Sequence, residues 1–128
     1  VNDFTLDGVN MDCSKAKGAY GLVVRDGSGT VKSSSLKNDK KKRDSTGGAT
    51  YIYEAAQVRL EDCQLSGWFG IHAIGSSQVE ALRCHLEAPG GCYCTTDASP
   101  VSSIIRAEKC TWSGKKSDLG EGSELEEA

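Results

Sequence analysis

Three stretches of the chain repeat one arrangement of apolar and polar positions: VRLEDCQL (58–65), VEALRCHL (79–86) and IRAEKCTW (105–112). Counting the first residue of each as slot 0, apolar or small side chains fill slots 0, 2, 5 and 7. These are Val58, Leu60, Cys63 and Leu65, then Val79, Ala81, Cys84 and Leu86, then Ile105, Ala107, Cys110 and Trp112. Upstream, the same template falls on Val31, Ser33, Leu36 and Asn38, and on Phe4, Leu6, Val9 and Met11. Slot 1 holds Thr5, Lys32, Arg59, Glu80 and Arg106, and slot 6 holds Asn10, Lys37, Gln64, His85 and Thr111, none of them apolar. Slots 3 and 4 are polar or glycine, except for Leu82.

Alternation at slots 0 and 2, and again at 5 and 7, predicts two short strands. The phase slips by one residue between them. A bend at slots 3–4 produces that slip and lets both strands face one interior. Motif starts at 4, 31, 58, 79 and 105 give a repeat of twenty-odd residues with variable insertions, which predicts a solenoid. Between motifs lies a third apolar piece, YGLVV (20–24), TYIY (50–53), FGIHAI (69–74) and GCYCT (91–95), so each coil supplies about three strands. No stretch of more than ten residues combines helical period with caps. Leucine-rich and ankyrin architectures are disfavoured on that ground.

The stretch YIYEAAQVRLEDCQLSGWFGIHAIGSSQVEALRCHLEA resembles tandem coils of the pectin-lyase-like superfold, a resemblance that covers roughly residues 4–113. It implies an all-β, right-handed parallel β-helix, here of about five coils over residues 1–114. The acidic stretch KKSDLGEGSELEEA (115–128) is expected to follow as a flexible tail or an extended docking segment. The superfold hosts polysaccharide lyases and hydrolases, phage tailspikes and non-enzymatic interaction domains, so it implies a fold and no function. Adjacent coils stack about 4.8 Å apart. Slot 5 then becomes an interior column of Leu36, Cys63, Cys84 and Cys110, preceded by Val9.

Composition narrows the partners. A 128-residue chain suits one domain with one core. Its net charge of −3 argues against nucleic acid as the main partner. No apolar stretch approaches the roughly 18 residues of a membrane span. The chain starts at Val1 without an initiator Met, as a processed product or excised fragment would. Six cysteines (13, 63, 84, 92, 94, 110) admit three readings: free thiols, disulfides or metal ligands. Parallel stacking points neighbouring side chains the same way, which favours free buried thiols. CYC (92–94) lacks a second ligand pair, so no metal and no cofactor is expected. Free core thiols favour an intracellular, reducing compartment.

An enzyme of this fold would carry its chemistry on an outward face. A hydrolase of this fold needs paired carboxylates, and a lyase needs a cationic base with acidic calcium ligands. The outward columns instead alternate in sign, as cross-strand salt ladders do. FGIHA is not the Gly-His-Gly pattern of pectin hydrolases, so no catalytic residue is carried over. The third strand is expected to present Val23, Tyr53, His72 and Thr95 outward, with Tyr51, Tyr93 and Trp68 nearby. Such an aromatic strip beside a histidine suits a carbohydrate or protein contact. The loop NDKKKRDSTGG (38–48) carries Lys40, Lys41, Lys42 and Arg43 as a candidate docking site for an acidic partner. Residues 39–48 are expected to project as an excursion whose deletion leaves the fold intact.

Five coils leave a hydrophobic cross-section and unpaired strand edges at each end. The expected function is therefore a non-catalytic structural or interaction module with protein partners at its open ends, and Trp112 is the expected docking residue. The rival is a carbohydrate-binding or polysaccharide-processing domain.

Overall fold

The computed structural model describes residues 3–13, 20–40, 47–97 and 101–127, and among these it contains strands, turns and bends but no helix. The chain winds as a parallel β-solenoid with three walls. The first wall runs β1 (Asp3–Asp7), β4 (Ser28–Lys32), β7 (Gln57–Glu61), β10 (Gln78–Leu82), β13 (Ile104–Glu108) and β16 (Glu124–Glu127). The second runs β2 (Asn10–Asp12), β5 (Ser35–Lys37), β8 (Gln64–Ser66), β11 (His85–Ala88) and β14 (Thr111–Gly114). The third runs β3 (Tyr20–Arg25), β6 (Gly48–Tyr53), β9 (Phe69–Ala73), β12 (Gly91–Cys94) and β15 (Ser117–Asp118). The pairings within each wall are parallel.

The third, fourth and fifth coils pair in the expected slots. Val58, Val79 and Ile105 form one inward row, and Leu60, Ala81 and Ala107 the next. The second coil differs by two residues. Gly29, not Val31, pairs with Phe4 and Val58, while Val31 pairs with Leu6 and Leu60. Leu36 correspondingly joins Met11 and Leu65. Ser34 then stands beside Cys63, where Leu36 was expected: the Gln64 N–H donates to the Ser34 carbonyl, and the Ser35 N–H donates to that of Val9. The misfits Ser33 and Asn38 disappear with this register. Its physical reason is Phe4, whose ring lies over Gly29; a Cβ there would come within 2.2 Å of Cε1. The aromatic ring of one coil fills the volume that the next coil's glycine leaves empty.

The phase slip is made by one left-handed residue per coil: Gly8 (φ 69°), Ser33 (50°), Asp62 (54°), Arg83 (53°) and Lys109 (55°). At four of them the N–H still reaches the next coil, from Gly8 to the Lys32 carbonyl, Ser33 to Glu61, Asp62 to Leu82 and Arg83 to Glu108. The corner thus rotates the next strand inward without breaking the backbone ladder.

Burial follows the rows. Val58, Leu60, Leu65, Ile71, Val79, Leu86 and Ile105 belong to one continuous core. The acidic stretch expected as a tail enters the fold in part, because β15 pairs with β12 and β16 pairs with β13. Leu125 stands in register with Ile105, which gives β16 one apolar inward side chain, while Glu127 takes the inward slot beside Ala107. Gly48, expected in the excursion, is the first residue of β6, where a Cβ would meet the Phe69 carbonyl oxygen at 2.3 Å.

Candidate functional site

On the outer face of the third wall, Val23, Tyr51, His72 and Cys94 share one column. Of the expected outward positions Val23 is exposed and Tyr53 half-buried, but His72 is buried, and its register partner is Tyr51 rather than Tyr53. The expected outward Thr95 is buried, and its Oγ1 accepts the Gly120 N–H at 2.7 Å. Tyr93, expected at the surface, is 1% exposed, because it stands in register with Ile71 of the core. Burial, with Cys110 nearby, drives its phenol upward, so it stays protonated.

Three tyrosines form a stack across this face. The Tyr20 and Tyr51 ring centroids lie 5.0 Å apart, and those of Tyr51 and Tyr53 lie 4.9 Å apart. Their neighbour His72 packs on Phe69 at 5.0 Å and on Tyr51 at 5.1 Å. The Tyr20 hydroxyl lies 2.8 Å from His72 Nδ1, and the Thr96 hydroxyl lies 3.2 Å from Nε2. Burial pulls the imidazole down to about 4 against the opposing charges of Asp97 and Asp118. His72 is thus a neutral, doubly engaged ring, held as a structural support for the stack. Cys94, fully buried beneath, is pushed up to about 12 by burial and then by Asp118. Tyr51 and Tyr53 remain half-exposed, and Arg25 pairs with Glu54 at 2.8 Å on their rim. Trp68 is half-buried, edge-on to Phe69 at 6.4 Å, and its indole covers Gly90.

The other expected binding residues lie apart from this face. Lys40 forms an exposed ion pair with Glu87 on the second wall. Lys41, Lys42 and Arg43 lie outside the described residues.

The three column cysteines are free, as are Cys13, Cys92 and Cys94. The single S–H of each column thiol has two carbonyls within reach, one of its own coil and one of the coil before: Glu61 and Val31 for Cys63, Leu82 and Leu60 for Cys84, Glu108 and Ala81 for Cys110. Cys84, between Cys110 and Cys63 and buried, is held firmly protonated. Cys110, in the last coil, is only partly buried, which departs from the expectation of three fully buried thiols. Among the described residues no group of three or more His, Cys, Asp or Glu side chains is placed to hold a metal.

The outward column of the first wall carries Arg59, Glu80, Arg106 and Glu126 in register. Arg59 bonds Glu80 at 3.1 Å, and Arg106 bonds Glu126 at 2.9 Å. At the corner Arg83 grips Asp62 with two bonds of 2.7 and 3.0 Å. Solvent screens these exposed pairs, so they set register more than they add stability.

The ends of the solenoid are built differently from its walls. One inward row of the second wall reads Met11, Leu36, Leu65, Leu86 and Trp112. Its three central members are at most 2% exposed, whereas Met11 and Trp112 are each 44% exposed. The end residues occupy the same inward row as their neighbours, but among the described residues no further strand of that wall lies beyond them. Near Trp112 lie the ammonium of Lys116, 5.9 Å from the ring centroid, and its ion-pair partner Glu127. Leu119 is also exposed, and Leu125 is half-buried.

Sequence reasoning missed Tyr20 and set Tyr51 only near the strip, although alternation in TYIY places Tyr51 and Tyr53 on one face. No family model, curated protein or solved structure matches the chain. Among the described residues no helix is long and apolar enough to cross a membrane.

Proposed function

We propose that the chain is a non-catalytic interaction module that docks through the open ends of its solenoid. One observation carries this reading: a row buried along its length ends in Met11 and Trp112, each nearly half exposed. Large apolar side chains in that position are stabilised by whatever supplies the next layer, and aromatic residues dominate such contacts. The finer fold reading, a right-handed helix of the pectin-lyase-like superfold, is compatible with this role. So is an intracellular setting, for which the six free thiols argue. The test is Trp112→Ala. It should weaken assembly with the physiological partner at least tenfold, while the central coils keep their resistance to denaturant. Unchanged assembly would remove the reading.

A second reading has its own observation. Tyr51 and Tyr53 stack with their rings half-exposed on the third wall, an arrangement suited to packing against a sugar ring. Saturation-transfer NMR with oligosaccharides, lost in Tyr51→Ala, would favour carbohydrate binding over end docking.

A further inference from the structure

We infer that the edge of β16, unpaired among the described residues, accepts an extended partner segment with cations at its outward positions and an apolar residue opposite Leu125, added parallel as the next strand of the first wall. This rests on the end-docking reading and names the chemistry of the partner. Three features of the edge define the occupant. First, β16 is the last strand of its wall among the described residues. The Glu124 N–H donates to the Ser103 carbonyl, toward β13. Main-chain groups alternate sides along a strand, so those of Leu125 and Glu127 face the open edge. Second, the inward row Phe4, Gly29, Val58, Val79, Ile105 and Leu125 calls for an apolar residue as its next member. Third, the outward column alternates Arg59, Glu80, Arg106 and Glu126, and calls for a cation next. Glu124, one pleat earlier on the same outward face, asks for the same charge.

A second copy of this chain fits poorly. Continuing the wall with β1 would set Asp3 against Glu124 and place no cation against Glu126, since β1 offers Thr5 there. The acidic edge therefore discourages self-pairing, as charged edge strands do, and admits a basic strand.

The test uses the 128-residue chain and a fluorescein-labelled decapeptide containing Lys-Val-Lys-Thr-Lys. Anisotropy should show saturable binding, and amide shifts should concentrate at residues 124–127 with a change at the Trp112 indole. Replacing both glutamates, Glu124→Gln with Glu126→Gln, should weaken binding on the order of tenfold. A peptide of the same sequence and charge with N-methylated alternate amides should not bind, because it cannot pair with the edge. Equal binding of the N-methylated peptide would reduce the effect to charge attraction and overturn the inference. So would no binding of the Lys peptide, whether or not the Gln variant then self-associates. If Trp112→Ala still impaired assembly in that case, the end-docking reading would stand and only the strand addition would fall.

Discussion

Acidification should destabilise this solenoid through His72 before its carboxylates titrate fully. The unfolded chain takes up the imidazole proton near pH 6.5, whereas the folded chain does so only near 4, chiefly because the ring is buried. Between these values the unfolded state binds more protons, so stability is full above about pH 7 and falls as the pH drops. At 1.36 kcal/mol per decade the loss is about 2 kcal/mol by pH 5 and about 3 kcal/mol by pH 4. That is a large part of the 5–15 kcal/mol typical of a domain. The assay is urea unfolding at pH 7.0, 6.0 and 5.0 for the wild type and for His72→Gln, which keeps a hydrogen-bonding side chain and removes the titration. The variant starts less stable, since Gln cannot reproduce the ring packing on Phe69 and Tyr51, but its curve should be flatter by about 2 kcal/mol across this range. Parallel curves would refute the assignment of the acid sensitivity to His72. So would an NMR titration in which the His72 ring protonates near 6.5.

Other outcomes follow from single contacts. Lys109→Gly should stabilise the protein by about 0.5–1 kcal/mol in thermal melts, because φ of 55° strains a side-chain-bearing residue. Gly48→Ala should cost about 2–3 kcal/mol by denaturant titration, since the new methyl would strike the Phe69 carbonyl. In one inward row, Leu86→Ala should cost about 2–5 kcal/mol and Trp112→Ala less, because only the former is fully buried. Native thiol labelling should modify Cys13 and Cys110 and spare Cys63, Cys84, Cys92 and Cys94 until the chain is denatured.

The part of the fold that could be read from the sequence is the part where inward residues pack on others of their own kind. Val58, Val79 and Ile105, or Leu60, Ala81 and Ala107, announce their rows because each slot is apolar in its own right. The second coil hid its register because Gly29 has no side chain to announce it, and the volume it leaves is filled by Phe4 of another coil. The third wall was ambiguous for a related reason. In TYIY and CYC the aromatic residues suit either face, so Tyr93 looked like surface while it fills the core beside Ile71. His72 looked exposed, yet Tyr20 and Thr96 close over both its nitrogens. The terminal strand was hidden by charge: of the two inward slots in Glu124–Glu127 only that of Leu125 is apolar, Glu127 taking the one beside Ala107, and the glutamates that suggested a solvated tail include Glu126, the partner of Arg106 in the outward ladder.

The central claim is that partners meet the open end of the solenoid rather than its walls. Its most direct measurement is photo-crosslinking in cells that express the protein, with a photoreactive amino acid placed singly at 112, 125 or 64. Positions 112 and 125 sit at the end, and Gln64 is an exposed residue of the second wall. The account predicts one discrete adduct shared by 112 and 125 and none at 64. Equal adducts at all three positions, or an adduct at 64 alone, would contradict it.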